Sequence, residues 1–170
     1  MQKLGFAEYW LNQAVPHPNS FSKIVKERIK DQFLQNWSEQ LFSSSACSNY
    51  RIFKTDFKFE EYFTLLPRDL ALSLCNFRCR NNKLPVVIGA RYDLSIDQRV
   101  CNFCNNNSVG DEFHYVFNCT HFNAERKKYI LYNTKTPNTV SFAKLFQSSD
   151  YLVLLNLAIF VKKVMQAFKQ

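Results

Sequence analysis

Residues 101–119 read CNFCNNNSVGDEFHYVFNC, and four of them, Cys101, Cys104, His114 and Cys119, stand in the spacing C-x2-C-x9-H-x4-C. Two cysteines with two residues between them chelate one ion from a tight turn. A histidine and a cysteine with four between them supply a second pair. Three thiolates and one imidazole are the ligand set of a closed, tetrahedral zinc site. The polar NNNSVGD between the pairs reads as a turn, and Asp111 or Glu112 is placed to start a helix that carries His114. With the fourth ligand already supplied by the protein, no position is open for a catalytic water. Zn2+ is therefore the expected cofactor, its role structural, and the function is to be sought in what surrounds it.

A disulfide framework is the competing account of these thiols. The chain has 170 residues and six Cys, whereas secreted domains that depend on disulfides are much smaller. The opening MQKLGFAEYWLNQAV carries polar groups through the place where a signal peptide has its apolar centre. A reducing, intracellular location, nucleus or cytoplasm, follows as the expectation. Cys47, Cys75 and Cys79 lie outside the metal pattern, and Cys75 sits among apolar residues as a small core residue does. Asn36, Asn106 and Asn118 fall in N-x-S/T triplets, read here as chance matches. His17 stands apart from the pattern. His121, two residues past Cys119, is a reserve ligand that reads better as a neighbour of the site.

Composition sets the fold class. Phe is abundant at 17 and Gly scarce at 3, which disfavours a turn-rich barrel or sandwich and favours helices. The expectation is a mostly α-helical domain with one embedded structural zinc site. A net charge of +8 and a pI near 9.2 suit a chain that works near phosphate, though charge alone moves that inference little. The run YLVLLNLAIFV at 151–161 is too short for a membrane span and is interrupted by Asn156, so it reads as a buried helix and no membrane partner is expected.

Working outward from the metal pattern, residues 3–15 read as a short helix ending before Pro16 and Pro18. Asn19 or Ser20 offers an N-cap for a longer one. There Phe21, Ile24, Val25, Ile29, Phe33, Trp37 and Leu41 recur at helical spacing, opposite a basic face of Lys23, Lys26, Arg28 and Lys30. Residues 42–49 read as a loop, and 50–63 as either extended or a short helix. Pro67 opens a helix with an apolar stripe of Leu70, Leu74 and Phe77. Arg78, Arg80 and Lys83 cluster at its far end, and Pro85 ends it. Residues 86–100 read as a linker that brings Arg91 and Arg99 up to the metal. After Cys119, a helix presents Arg126, Lys127 and Lys128. One or two C-terminal helices follow, with Leu152, Leu155 and Ile159 on the buried face and a basic end at Lys162 and Lys163. The boundaries expected are 1–65 for a helical N-terminal segment, 66–132 for the basic helix and zinc module, and 133–170 for the C-terminal helices, packed as one unit.

The stretch from about Leu66 to Ile130 resembles the C-terminal region of reverse transcriptases from non-LTR (LINE-type) retrotransposons. The residues that carry the resemblance are LPRDLALSLCNFRCRNNKLPVVIGARY, then DQRVCNFC, then GDEFHYVFNCTHFNAERKKYI. They cover a little over a third of the chain. The resemblance implies a Cys-Cys-His-Cys zinc module that holds template RNA or target DNA near a polymerase, with Cys101, Cys104, His114 and Cys119 as the ligands. The polymerase's paired aspartates are absent, and no PD…D/E-x-K arrangement follows Cys119. The resemblance thus implies a truncated, domesticated or excised remnant that is not an enzyme. The gap before His114 is longer than in a nucleocapsid knuckle, so single-strand binding of that kind is not implied.

Two expectations about function follow. In the first, the chain is a zinc-stabilised nucleic-acid-binding module. Its contacts are Arg78, Arg80, Lys83, Arg91, Arg99, Arg126, Lys127 and Lys128, and binding is dominated by phosphate and sensitive to salt. Phe103 and Tyr115 are stacking candidates, but packing around the metal explains them better, as it does Phe113 and Phe117. In the second, zinc only folds the domain. Helices such as 20–41 or 151–168 then dock on other reverse-transcriptase domains or drive self-association. An enzyme is the weakest reading: no phosphate-binding glycine loop, nucleophile elbow, carboxylate cluster or deaminase pattern is present.

Overall fold

The computed structural model describes residues 5–12, 17–130 and 137–169. Among them the chain is helical, and its extended pairing is an isolated antiparallel bridge between Val100 and Val109. The chain divides into two compact units, Met1–Ser45 and Ala46–Gln170. The division falls well before the boundary at 65/66 read from the sequence, and residues 46–65 belong with the metal-binding segment.

The first unit holds α1, Ala7–Leu11, and α2, Pro18–Ser43. Pro18 occupies the first turn of α2, where its fixed φ suits the helix and its missing N–H removes no bond. The N-cap is therefore His17, with no side-chain cap bond, rather than Asn19 or Ser20. Residues 13–16, the end of the expected 3–15 helix, lie outside the described residues. Phe6 is buried, and its ring meets that of Phe21 edge-on at 5.5 Å. The stripe on α2 is only partly covered: Leu41 is buried, whereas Ile24, Ile29 and Phe33 are exposed. Helical spacing predicts the length of α2, but not how little of its apolar face is buried.

The second unit is built on two antagonistic requirements, an apolar core and a buried arginine. Helix α5, Arg68–Arg78, presents Ala71, Leu74 and Phe77 to α9, Tyr151–Ala167, the most extensive helix pair in the unit. Its C-terminus closes by a Schellman motif: the N–H of Asn81 bonds the carbonyl of Asn76 at 2.8 Å, and that of Arg80 bonds Phe77 at 3.4 Å. Arg80 sits at the left-handed position, φ 55°, where glycine is usual. The helix thus ends at Arg78, before Pro85 is reached.

Residues 50–63, ambiguous in their mixed pattern, form α3, Tyr50–Phe53, an irregular stretch, and the start of α4, Tyr62–Leu65. Arg78 holds this segment in place. Its guanidinium pairs with Glu60 at 2.9 Å, donates to the carbonyl of Phe146 at 3.1 Å, and lies over the rings of Phe53 and Tyr62. Phe53 stacks on Phe146 of α8, Thr139–Phe146, at 4.8 Å.

Two expectations are corrected. Residues 86–100 are not a plain linker. Pro85 starts α6, Pro85–Arg91, in the role that Pro18 has in α2, and a 3-10 turn, Ile96–Gln98, closes by a capping box from Ser95. On α9 the buried face is Leu154, Leu157, Ala158, Phe160, Val161 and Val164, and Leu152 is exposed. The run 151–161 holds one polar residue inside it, Asn156, too little of a polar face to fix its rotation, so the packing against α5, α8 and the helix Asn123–Tyr129 sets it. No single helix among the described residues is long and apolar enough to cross a membrane.

Candidate metal centre

The knuckle is held at its base by main-chain bonds. The N–H of Cys101 bonds the carbonyl of Ser108 at 2.9 Å and that of Gly110 bonds Arg99 at 2.8 Å, across the Val100–Val109 bridge. This fixes the ends of the 101–108 loop and turns both thiols inward. Asn107 takes φ 48°, a conformation that asparagine tolerates better than most residues. Gly110 is needed for space: a Cβ there would stand 2.8 Å from the Pro85 ring and 2.9 Å from the Tyr115 hydroxyl.

Asp111 then caps the next helical segment. Its Oδ1 accepts the N–H of His114 at 2.8 Å and its carbonyl accepts the N–H of Tyr115. The segment does not continue as an α-helix. Residues His114–Asn118 form a π turn, closed by the N–H of Cys119 on the carbonyl of His114 at 2.8 Å. In a regular α-helix five residues advance about 500°, which would leave Cys119 about 140° round from His114. The wider turn closes at the fifth residue instead and returns Cys119 to the face that His114 occupies.

These devices bring all four predicted ligands together. Cys101, Cys104, His114 and Cys119 are buried, and one ligand atom from each lies within 4.8 Å of the others. Sγ of Cys101 and Cys119 are 3.7 Å apart, and Sγ of Cys104 is 3.4 Å from Nε2 of His114. The sulfur separation is far beyond a disulfide bond of about 2.05 Å. Three thiols and an imidazole converging this closely suit a soft or borderline transition-metal ion.

The site's electrostatics differ from ligand to ligand. Burial pushes the Cys119 thiol up to about 12; the His121 N–H opposes this, and Cys101 adds to it. At Cys101 burial also resists ionisation, but the Tyr115 hydroxyl and the N–H groups of Phe103 and Cys104 outweigh it and hold this thiol below its ordinary value. The Phe103 N–H stands 3.4 Å from the sulfur. The Tyr115 hydroxyl lies beside the same sulfur but falls short of full hydrogen-bond geometry. Burial lowers the His114 pKa, Asp111 opposing and Arg126 assisting, and so favours the neutral imidazole a metal requires. His121 is outside the cluster: it is exposed and stacks on Phe103 at 4.9 Å.

The eight predicted cationic contacts separate into two groups. Four are held by the protein itself. Arg78 and Arg126 are buried. Arg80 donates to Glu112 at 3.3 Å and to Ser48 at 3.1 Å. Arg99 straps its guanidinium to the carbonyls of Leu94 and Val86, and its stem packs against Gly89. Lys83, Arg91, Lys127 and Lys128 are exposed. The aromatic candidates pack inward: Tyr115 is fully buried, and Phe103 is edge-on to Phe122 and Phe168. Phe113 and Phe117 meet Phe142 of α8.

The roles of two residues at the site escaped the sequence reading. Arg126, on α7, Asn123–Tyr129, reaches back to the π turn and donates to the carbonyls of Val116 at 2.7 Å, Cys119 at 2.7 Å and Tyr115 at 3.2 Å. Glu112 is buried and joins Arg80 to Asn49, whose amide donates to it at 2.6 Å. Burial raises its pKa, against the pull of Arg80 and Asn49. Neither carries a motif: Arg126 stands in a row of exposed-looking cations, and Glu112 in a helix start. Compared with known proteins, the chain matches no family model, no curated protein and no solved structure.

Proposed function

We propose that Cys101, Cys104, His114 and Cys119 hold a structural zinc ion, and that the module so folded binds the phosphate backbone of nucleic acid. The observation that carries the zinc reading is the spacing of the donor atoms. A tetrahedral zinc with Zn–S of about 2.3 Å and Zn–N of about 2.0–2.1 Å sets S···S edges of about 3.8 Å and S···N edges of about 3.5 Å. The 3.7 Å and 3.4 Å separations fit these edges, and the whole set of four donor atoms lies within 4.8 Å. When bound, the ion stabilises three thiolates and ties the knuckle to the π turn. In this reading the four ligands leave no coordination position for chemistry, and the chain is not an enzyme.

The nucleic-acid reading rests on the net charge of +8, on the exposed Lys83, Arg91, Lys127 and Lys128, and on the resemblance of 66–130 to the zinc region of LINE-type reverse transcriptases. The four internally held arginines serve the scaffold and are not phosphate contacts. A second reading, a module that docks on protein, is favoured by the exposed Phe57, Phe59 and Phe63.

A fluorescence-anisotropy titration tests the choice. Zinc-loaded protein and a Cys101→Ser/Cys104→Ser control are titrated against labelled single-stranded RNA and duplex DNA at low and moderate salt. The expected result is zinc-dependent binding that weakens steeply with salt. A folded, zinc-loaded protein that binds neither would overturn the nucleic-acid reading in favour of docking.

A further inference from the structure

Tyr129 ends α7 half-buried, and two lysines from different helices converge on its ring. Nζ of Lys128, its neighbour on α7, stands 5.3 Å from the ring centroid. Nζ of Lys163, on α9, stands 5.9 Å from the same centroid. Both separations lie within cation–π range. α7 and α9 pack directly on one another, so these positions are set by the core and not by a loop. Lys127, which precedes Lys128 in the chain, is exposed. Among the described residues no carboxylate pairs with Lys127, Lys128 or Lys163, whereas the neighbouring Lys162 is taken by Asp69 at 2.7 Å. Two ammonium groups at one ring, neither paired with a carboxylate among the described residues, concentrate positive charge at this place. Phosphate oxygens can accept a charge-assisted hydrogen bond from each of them.

We infer that Lys128, Tyr129 and Lys163 form a phosphate-contacting surface for nucleic acid, with Tyr129 as the ring on which both cations are held. This rests on the nucleic-acid reading above and narrows it to one place, α7 against α9, adding Lys163, which belongs to no motif. The ring is half-buried and lies under the ammonium groups, so it positions cations rather than stacking on a base. The surface therefore meets the backbone and reads no sequence.

The test measures the salt dependence of binding for full-length, zinc-loaded wild type and three variants: Lys128→Gln/Lys163→Gln, Tyr129→Ala, and the charge-matched control Lys58→Gln/Lys144→Gln. Probes are a mixed-sequence single strand and a duplex of the same sequence. Each cation that no longer neutralises a phosphate lowers the log–log salt slope by about 0.7–0.9. A fall of about 1.4–1.8 in slope for the first variant, two such cations, supports the surface. A drop in affinity for Tyr129→Ala at unchanged zinc content supports it too. The control is expected to keep the wild-type slope. Wild-type binding with an unchanged slope in Lys128→Gln/Lys163→Gln, or an equal fall in the control, overturns the surface and leaves the wider reading standing. No wild-type binding overturns both. Vesicles of phosphatidylserine and phosphatidylcholine form a last arm: if the lysine variant stops binding these and still binds nucleic acid normally, the surface is overturned as a nucleic-acid contact and belongs to a membrane.

Discussion

Arg126 looks from sequence like one member of a basic row, but its donors are turned inward to three carbonyls of the segment that carries His114 and Cys119. Its Nη1 is occupied as well, by Asn123 at 2.6 Å. Removing the guanidinium leaves those carbonyls buried without partners, each worth about 1–3 kcal/mol. Arg126→Gln is therefore expected to lower the urea-unfolding free energy of the zinc-loaded protein by about 2–5 kcal/mol. Competition with a chromophoric chelator is expected to show zinc held about 10–100-fold less tightly. Arg126→Lys should fall between, because an ammonium is a point donor and cannot span the same fork. Unchanged metal affinity in Arg126→Gln would remove it from the site's support. The four ligands were legible because metal chelation constrains residue type and spacing together. Arg126 and Glu112 were not, since a salt-bridged or carbonyl-bound side chain has the same letter whether it faces water or the core.

The same contrast holds for the elements. Pro67 and Asp111 announced helix starts through chemistry local to the chain, and both stand at such starts in the fold. The rotation of α9 was not local. Its apolar residues surround most of the helix, and packing against α5, α7 and α8 decides which are covered. Leu157→Ala, at a fully buried position, is expected to cost about 2–5 kcal/mol. Leu152→Ala, at an exposed one, should stay within about 0.5 kcal/mol. Urea midpoints of the two variants check this directly, and equal losses would mean that α9 is turned otherwise. The role of Pro85 was misread for a related reason. A proline stops one helix and suits the first turn of the next equally well, and the Schellman bonds of α5 end that helix before the proline is reached.

For the whole molecule, the candidate metal site and the core of the second unit are one structure: Cys101, Cys104 and Cys119 belong to the same buried cluster as Leu74, Phe77 and Val161. Chelation at neutral pH is expected to unfold the unit Ala46–Gln170 and not merely to open a loop. Loss of the far-UV helical signal on chelator addition, restored by zinc, is the check; an unchanged signal after verified metal removal would refute it. The pH dependence has a definite sign. Burial pushes the Cys119 thiol up in the folded site, and in the unfolded chain an ordinary thiol is also mostly protonated at neutral pH, so from either state the ion must displace that proton. Affinity therefore rises with pH and falls on acidification. Zinc addition in weak buffer should release more than one proton per ion, and release of none would sink the assignment of thiolate ligands. The π turn also governs how the site tolerates changes in chain length. It is an α turn with one residue to spare. A deletion within 115–118 would leave His and Cys four apart, still neighbours on one face of an ordinary helix. An insertion there would throw the last thiol off the metal. Natural length variation between this histidine and cysteine should therefore run toward the shorter spacing.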